Sequence, residues 1–296
     1  MSQIKLLMTI AEALLQGTNK LRKADVAEAR REAGSLLGCV LGRDRTFIIS
    51  HAEDEITSDQ AEMFARLIED RAKGKPLQYI TGHQEFFNLD FEVTPAVLIP
   101  RPETELMVET ALRLLPHVEA ETLICDVGTG SGCVAITLLH ERQNARGLAI
   151  DISPAAIEIA KRNAAKHNVS DRLEFLISDC FAEVKQEERL FDLIVSNPPY
   201  IPASDLEGLQ REVRDYEPHL ALEAGADGLS IIRRLLADVG VYLKPGGYFL
   251  FEIGFDQSDA VEKLIAPILS AGSWKLLDIY SDLQGIPRTV ALQKLM

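Results

Sequence analysis

The sequence predicts an α/β fold: a mostly parallel seven-stranded sheet with an antiparallel edge strand, preceded by a small N-terminal helical bundle. Three observations carry that expectation. From about residue 121 onward, short apolar strand runs alternate with helical patterns, as in a parallel sheet covered on both faces. The last two strand candidates are joined only by Gln284-Gly285-Ile286-Pro287, a turn short enough for an antiparallel hairpin at one edge. Residues 1 to about 74 instead place apolar side chains at helical spacing.

In the N-terminal part, residues 25–41 put Val26, Ala29, Ala33, Leu36, Leu37 and Val40 on one helical face. Residues 57–74 open with a Ser/Asp capping signal and end at Gly74. The stretch 44–51 between them is too short to assign. Such a bundle suits a packing module or a partner-docking module. Residues 75–105 then alternate aromatic and aliphatic side chains around Gly82 and Asn88, as expected of a β-hairpin linker. The linker reaches the rigid turn Pro100-Arg101-Pro102, and a helix is expected from near Glu103. The expected organisation is therefore 1–74 helical, 75–105 hairpin linker and 106–296 catalytic. Strands are expected at 122–128, 146–153, 173–179, 191–197, 247–254, 274–282 and 288–295.

Composition narrows the function classes. The 296 residues are 47% hydrophobic and carry a net charge of −14. Binding to bare nucleic acid favours clustered Lys and Arg, so no direct nucleic-acid partner is expected. No stretch approaches the roughly 18 apolar residues of a membrane span, and no signal peptide is read at the N-terminus. The four cysteines form no CxxC pair and the six histidines are scattered. Free thiols, a cytoplasmic setting and no metal site are the expectations.

The strongest cofactor signal is Asp126-Val127-Gly128-Thr129-Gly130-Ser131-Gly132, which follows an apolar strand and opens a helix. Glycines at this spacing let the backbone turn tightly and approach a ligand. The pattern is GxGxG and not the GxGxxG of dinucleotide binders, which leaves an NAD enzyme as the runner-up. The second strand ends in Asp151, a carboxylate able to accept from both ribose hydroxyls. The third ends in Asp179, Cys180 and Phe181, where Asp179 can accept from an adenine amino group. Either aspartate alone is more often a plain cap. Three polar strand ends on one sheet edge point instead to a nucleoside ligand.

The fourth strand ends in Ser196-Asn197-Pro198-Pro199-Tyr200. The prolines stiffen the backbone and remove N–H donors. That leaves two acceptors, the Asn197 side-chain oxygen and the Pro198 carbonyl, beside the flat face of Tyr200. A planar –NH2 group needs this pair of acceptors. Held in line with a methyl donor, an amide nitrogen so gripped becomes a competent nucleophile. The irregular stretch 201–229 follows directly and is expected to form part of a substrate channel.

Taken with Lys75–Phe87, Val97–Glu105, Ser196–Ile201, Glu217–Leu222 and Ala226–Leu229, these motifs resemble the release-factor glutamine N5-methyltransferases of the PrmC/HemK family. The resemblance covers nearly the whole chain. It implies a Rossmann-like methyltransferase domain with S-adenosylmethionine as cofactor. It implies the glutamine of the Gly-Gly-Gln loop of class I peptide chain release factors as substrate, with the N-terminal bundle docking that partner. Carried over by motif, Gly128, Thr129, Gly130, Ser131, Gly132 and Asn197 contact the cofactor, Asp151 holds the ribose, and Asp179 and Cys180 flank the adenine. Asn197, Pro198, Pro199 and Tyr200 bind the target glutamine, with Asn197, Pro198 and Tyr200 catalytic. Arg101, Glu103 and Glu105 shape the nearby wall, with Arg101 and Glu103 also expected to bind substrate. Two departures stand out: Cys180 replaces a bulky aromatic, and Ala224-Gly225 replaces a double glycine.

Three other readings share part of this evidence. A glutamine of a ribosomal protein would use the same motifs. An adenine N6 amino group also fits between the two acceptors, but it needs a flipped base and a basic channel. A non-catalytic assembly factor would not need an intact Asn-Pro-Pro-Tyr.

Overall fold

The computed structural model describes residues 8–115, 121–185 and 189–295. Residues 1–7 of the N-terminal stretch lie outside the described residues. The chain divides into two units, 1–82 with 210–216, and 83–209 with 217–296.

In the first unit, β1 (Met8–Thr9) pairs with β2 (Glu55–Ile56), beside α1 (Ile10–Lys23), α2 (Ala29–Leu41), α3 (Arg45–Ser50), α4 (Ser58–Ala72) and α5 (Leu77–Thr81). Local chemistry starts and stops these helices. Thr9 with Glu12, and Thr57 with Gln60, form reciprocal capping boxes. Left-handed Gly42 ends α2. Leu21, Ala33, Leu36, Leu37, Phe64 and Ile68 form the core. Gly17 is needed there, because a Cβ on it would stand 2.6 Å from the Phe64 ring. The helix α9 (Arg211–Tyr216) belongs to this unit, and its Glu212 joins Glu32 in pairing with buried Arg71.

The linker expectation meets two different structures. Residues 77–81 form the short helix α5 rather than a strand, because Pro76 starts the turn and left-handed Gly82 closes it. The hairpin is shorter, β3 (His83–Phe86) against β4 (Leu89–Glu92), turning through Phe87 and Asn88, both at positive φ. It belongs to the second unit. The helix expected from Glu103 begins as a 3-10 turn, Pro102–Thr104, and continues as α6 (Glu105–Leu114).

The second unit then runs β5 (Thr122–Val127), α7 (Cys133–Glu141), β6 (Ala145–Asp151), α8 (Pro154–Lys166), β7 (Leu173–Ile177) and β8 (Phe191–Ser196). It closes with α10 (Ser230–Tyr242), β9 (Leu243–Glu252), α11 (Ser258–Ser270), β10 (Trp274–Ser281) and β11 (Pro287–Lys294). The seven-stranded sheet has the order β10-β11-β9-β8-β5-β6-β7. The strands from β9 to β7 are mutually parallel, and the β10–β11 hairpin supplies the antiparallel edge. Two apolar cores cover its faces, one around Met107, Ile136 and Leu193, the other around Ile150, Phe249 and Phe251. The chain winds outward from β5 through β6 to β7, then returns to start β8 on the other side of β5. That reversal opens a crevice at the carboxyl ends of β5 and β8, where such sheets hold ligands.

Candidate active site

A cavity of about 270 Å³ fills this crevice. It is lined by Gly128 to Ser131 after β5, Asp151 at the end of β6, Asp179 and Cys180 after β7, and Asn197 to Pro199 after β8. The structure thus brings together four strand ends widely separated in sequence. Arg101 and Thr104 line it from the 3-10 turn, and Pro218, Leu220 and Ala221 from the connection to α10. Gly132, Glu103 and Tyr200 are not among the lining residues.

The glycine turn is built for close approach. Gly128, Gly130 and Gly132 all have positive φ, between 56° and 82°, which favours glycine. A Cβ on Gly130 would meet nothing within 4 Å, so its backbone faces open space. A Cβ on Gly132 would stand 2.7 Å from Ile136 Cδ1, so this glycine serves packing. Gly130 N donates to Asp151 Oδ2 at 2.9 Å, and Ser153 N donates to Oδ1 at 2.9 Å. Burial raises the Asp151 carboxyl above its ordinary range. Ser131 Oγ is buried in the wall beside the Cys133 thiol.

Three residues of this region were missed at the sequence level, and a fourth, Asp126, was read only as the opening of the glycine motif. Asp126 is fully buried and accepts from Thr129 Oγ1 at 2.7 Å and Ala135 N at 3.2 Å; burial pushes its carboxyl up to about 6. Its signal was visible, a carboxylate closing an apolar strand just before the glycines. Asn163 on α8 donates to Ser131 O at 2.8 Å and clasps the backbone of Glu92, bracing the turn from behind. Arg234 on α10 pairs with Asp179 at 2.8 Å. Glu252, at the end of β9, is described below. The last three lie far along the chain from their partners, and no local pattern marks them.

The Asn-Pro-Pro-Tyr segment is held from several sides. Ser196 Oγ donates to Val127 O at 2.7 Å, tying β8 to β5. Asn197 Nδ2 donates to Thr104 Oγ1 at 3.0 Å. Thr104 Oγ1 donates to Glu252 Oε2 at 2.6 Å, and the Tyr200 hydroxyl donates to Glu252 Oε1 at 3.4 Å. Burial, then the nearby Glu252 charge, pushes the Tyr200 phenol well up, so it stays protonated. Gln257 Nε2 donates to the carbonyls of Tyr200 and Gly228. Arg101 donates to Glu217 Oε1 at 2.5 Å, while Glu217 Oε2 accepts from Ile99 N. Glu105 turns away and accepts from Phe87 N at 2.8 Å, where it secures the hairpin turn.

Residues 12–82 match the family model described as the PrmC N-terminal domain, and residues 104–212 match the methyltransferase small domain. The chain is 42% identical over 287 residues to the release factor glutamine methyltransferase of Koribacter versatilis, covering 97% of this chain and 99% of that protein. It is 42% identical over 281 residues to the protein of the same name from Moorella thermoacetica, covering 95% and 97%. A solved methyltransferase structure from Pyrococcus furiosus superposes with a TM-score of 0.51 at 18% identity, over 80% of this chain and 100% of that one, a likeness of the Rossmann-like fold alone. Among the described residues no helix is long and apolar enough to cross a membrane, and no group of three or more His, Cys, Asp or Glu could hold a metal ion. At such identity over nearly its full length, the chain belongs to the release factor glutamine methyltransferases.

Proposed function

We propose that this enzyme methylates the side-chain amide nitrogen, N5, of the glutamine in the Gly-Gly-Gln loop of class I peptide chain release factors. The observation that carries the reading is the state of Asn197. Its Nδ2 is occupied by Thr104, so its Oδ1 is the branch left to the cavity. Pro198 follows with a carbonyl and no N–H. A primary amide entering there meets two acceptors, the Asn197 oxygen and the Pro198 carbonyl.

The cavity suits S-adenosylmethionine. The open space over Gly130, the buried Ser131 hydroxyl and the buried Asp126 carboxylate all line the cavity, matching a ligand with an amino-acid end. Asp151 offers its remaining lone pairs to a ribose diol, and Asp179 and Cys180 flank the place of a base. When bound, S-adenosylmethionine supplies an electrophilic methyl whose bonding electrons leave with the sulfur. Asn197 Oδ1 and the Pro198 carbonyl take the two N–H bonds of the substrate amide and direct its nitrogen along the line of attack. As the nitrogen gains positive character, both acceptors bind it more tightly. One of its protons then leaves to solvent, and no strong base is needed. Tyr200, tethered to Glu252 just outside the cavity lining, stiffens the segment that carries the two acceptors. Arg101, paired with Glu217, holds the Leu98–Pro100 wall, with Glu103 beside it.

The N-terminal unit serves as the docking module, and the cytoplasm as the setting. The charge of −14 supports a protein partner over bare nucleic acid. Labelled S-adenosylmethionine, offered with a class I release factor, its Gly-Gly-Ala variant and duplex DNA, tests the reading. Label is expected on the release factor only, and mass spectrometry should place it on the glutamine. Label on DNA alone would refute the assignment. Asn197→Ala should abolish transfer while cofactor binding persists.

A further inference from the structure

Glu252 occupies an unusual place for a carboxylate. It ends β9, next to the stacked Phe249 and Phe251, and is 1% exposed. An ion in such a place is expensive unless its hydrogen bonds are satisfied. Two hydroxyls satisfy it, Thr104 on Oε2 and Tyr200 on Oε1. The side-chain contacts of Glu252 and Thr104 lead to the Asn-Pro-Pro-Tyr segment.

A threonine hydroxyl has one proton to donate. Committed to Glu252, it leaves Thr104 Oγ1 only lone pairs for Asn197. The amide of Asn197 must then present its NH2 to Thr104, as it does at 3.0 Å. Its oxygen is left for the substrate. We propose that Glu252 is a positioning residue for methyl transfer: as a carboxylate it orients the Thr104 hydroxyl, and through it holds the Asn197 amide with the oxygen toward the substrate. The inference rests on the reading of Asn197 as the acceptor for the target amide.

The relay reverses when Glu252 takes a proton. The carboxylic acid then donates to Thr104, whose own proton is released toward Asn197. Asn197 answers by turning its oxygen to Thr104 and its NH2 to the cavity, where it repels an incoming amide N–H. Burial is the main influence on this carboxyl and raises it to about 7. Thr104, Arg288 on β11 and Tyr200 favour the ion, and Glu103 on the 3-10 turn disfavours it. Cys133 at the start of α7 also feels its charge. The switch therefore falls in the neutral range, with the productive orientation above it.

Two measurements on the full chain test this. The first is kcat against pH with a release factor, for the wild type, Thr104→Val, Thr104→Ser and Glu252→Gln. Thr104→Val should lower kcat by roughly 10²-fold, the scale for losing one oriented transition-state contact, with S-adenosylmethionine affinity within about threefold of the wild type. Thr104→Ser should restore most of that loss, since it keeps the hydroxyl. The wild type should lose activity as pH falls through about 7, and Glu252→Gln should lack that acid limb. A Thr104→Val enzyme as active as the wild type, or a Thr104→Ser enzyme as poor as Thr104→Val, overturns the relay. The second measurement needs no substrate. The Asn197 side-chain amide resonance in ¹⁵N NMR, assigned by its loss in Asn197→Ala, should titrate with Glu252 in the wild type and not in Glu252→Gln. A resonance flat across neutral pH overturns the relay even if glutamine methylation stands. A titrating resonance in an enzyme that leaves release factor unmethylated supports the relay and refutes the proposed substrate.

Discussion

Gly228 lies directly against the carbonyl of Tyr200: a Cβ at position 228 would stand 2.3 Å from that oxygen and 2.7 Å from Gln257 Nε2. Its φ of +71° is also one that L side chains rarely adopt. This explains the glycine in the Ala226-Asp227-Gly228-Leu229 stretch. It lets the loop pass under the Asn-Pro-Pro-Tyr segment, where Gln257 clamps both carbonyls. Gly228→Ala should therefore displace Tyr200 rather than the cofactor turn. A loss of about 1–3 kcal/mol in stability is expected from the strained backbone and the clash. Turnover should fall more than tenfold, with cofactor affinity nearly unchanged. Calorimetric binding of S-adenosylmethionine alongside steady-state kinetics checks this, and a variant that loses cofactor binding first would contradict it.

Asn163 controls the other half of the cavity. Fully buried, it bridges the β4 backbone at Glu92 and the Ser131 carbonyl of the glycine turn. Asn163→Ala would leave the buried Ser131 carbonyl without this partner, at about 1–3 kcal/mol if it stays unpaired, and would release the half-buried backbone of Glu92. The expected signature is the inverse of Gly228→Ala. Cofactor dissociation should rise about tenfold or more, and turnover at saturating cofactor should change little. Equilibrium dialysis with labelled cofactor separates the two. A variant with normal affinity would show that the turn needs no brace.

Arg101 looks from sequence like a substrate contact, but in the structure it neutralises Glu217, whose side chain is 1% exposed. Removing Arg101 alone leaves that carboxylate nearly unpaired, a loss of about 3 kcal/mol for a buried pair broken on one side. Arg101→Met should thus lower the melting temperature. Arg101→Met combined with Glu217→Gln should recover much of it, because the stranded charge is gone. Additive losses in the double-mutant cycle would mean that the two residues act independently and would return Arg101 to a direct role with substrate.

These pairs show which parts were legible in the sequence. Strands such as Thr122–Val127 and Phe191–Ser196 are marked by their own apolar runs, and their observed ends agree with the reading to within about two residues. The start of β9 was missed. It begins at Leu243, ahead of Pro245-Gly246-Gly247, whereas the strand was expected from residue 247; an irregularity in the pairing with β8 absorbs the disruption. Helix α5 was missed because five residues carry too little periodicity. In the site, glycines and strand-end carboxylates are local signals. The Thr104–Glu252 bond spans 148 residues and the Asn163–Glu92 bond 71. Such pairings exist only once the sheet has formed, so nothing near either residue announces them.

Glu252 should also leave a mark on stability. Its carboxyl stands at about 7 in the folded chain against an ordinary 4.5. At pH below 4.5 it is protonated whether folded or unfolded, and it contributes no pH-dependent difference. As pH rises from 4.5 to 7, the unfolded chain ionises first, and the folded state loses ground at each step. Above 7 the loss is complete, on the order of 3 kcal/mol for a shift of this size. Glu252→Gln removes the ionisation. It should raise the melting temperature by several degrees at pH 8 and by little at pH 5, since about 1 kcal/mol moves a catalytic unit of this size by roughly 2–4 °C. The same variant should lose the acid limb of the turnover profile. Thermal denaturation across pH 5 to 8 decides the point. An equal shift at both ends would mean that Glu252 is already ionised without strain at pH 5. The carboxylate that bears this loss holds two hydroxyls among the described residues, Thr104 and Tyr200, so the lost stability is the counterpart of the order it imposes on the Asn-Pro-Pro-Tyr segment.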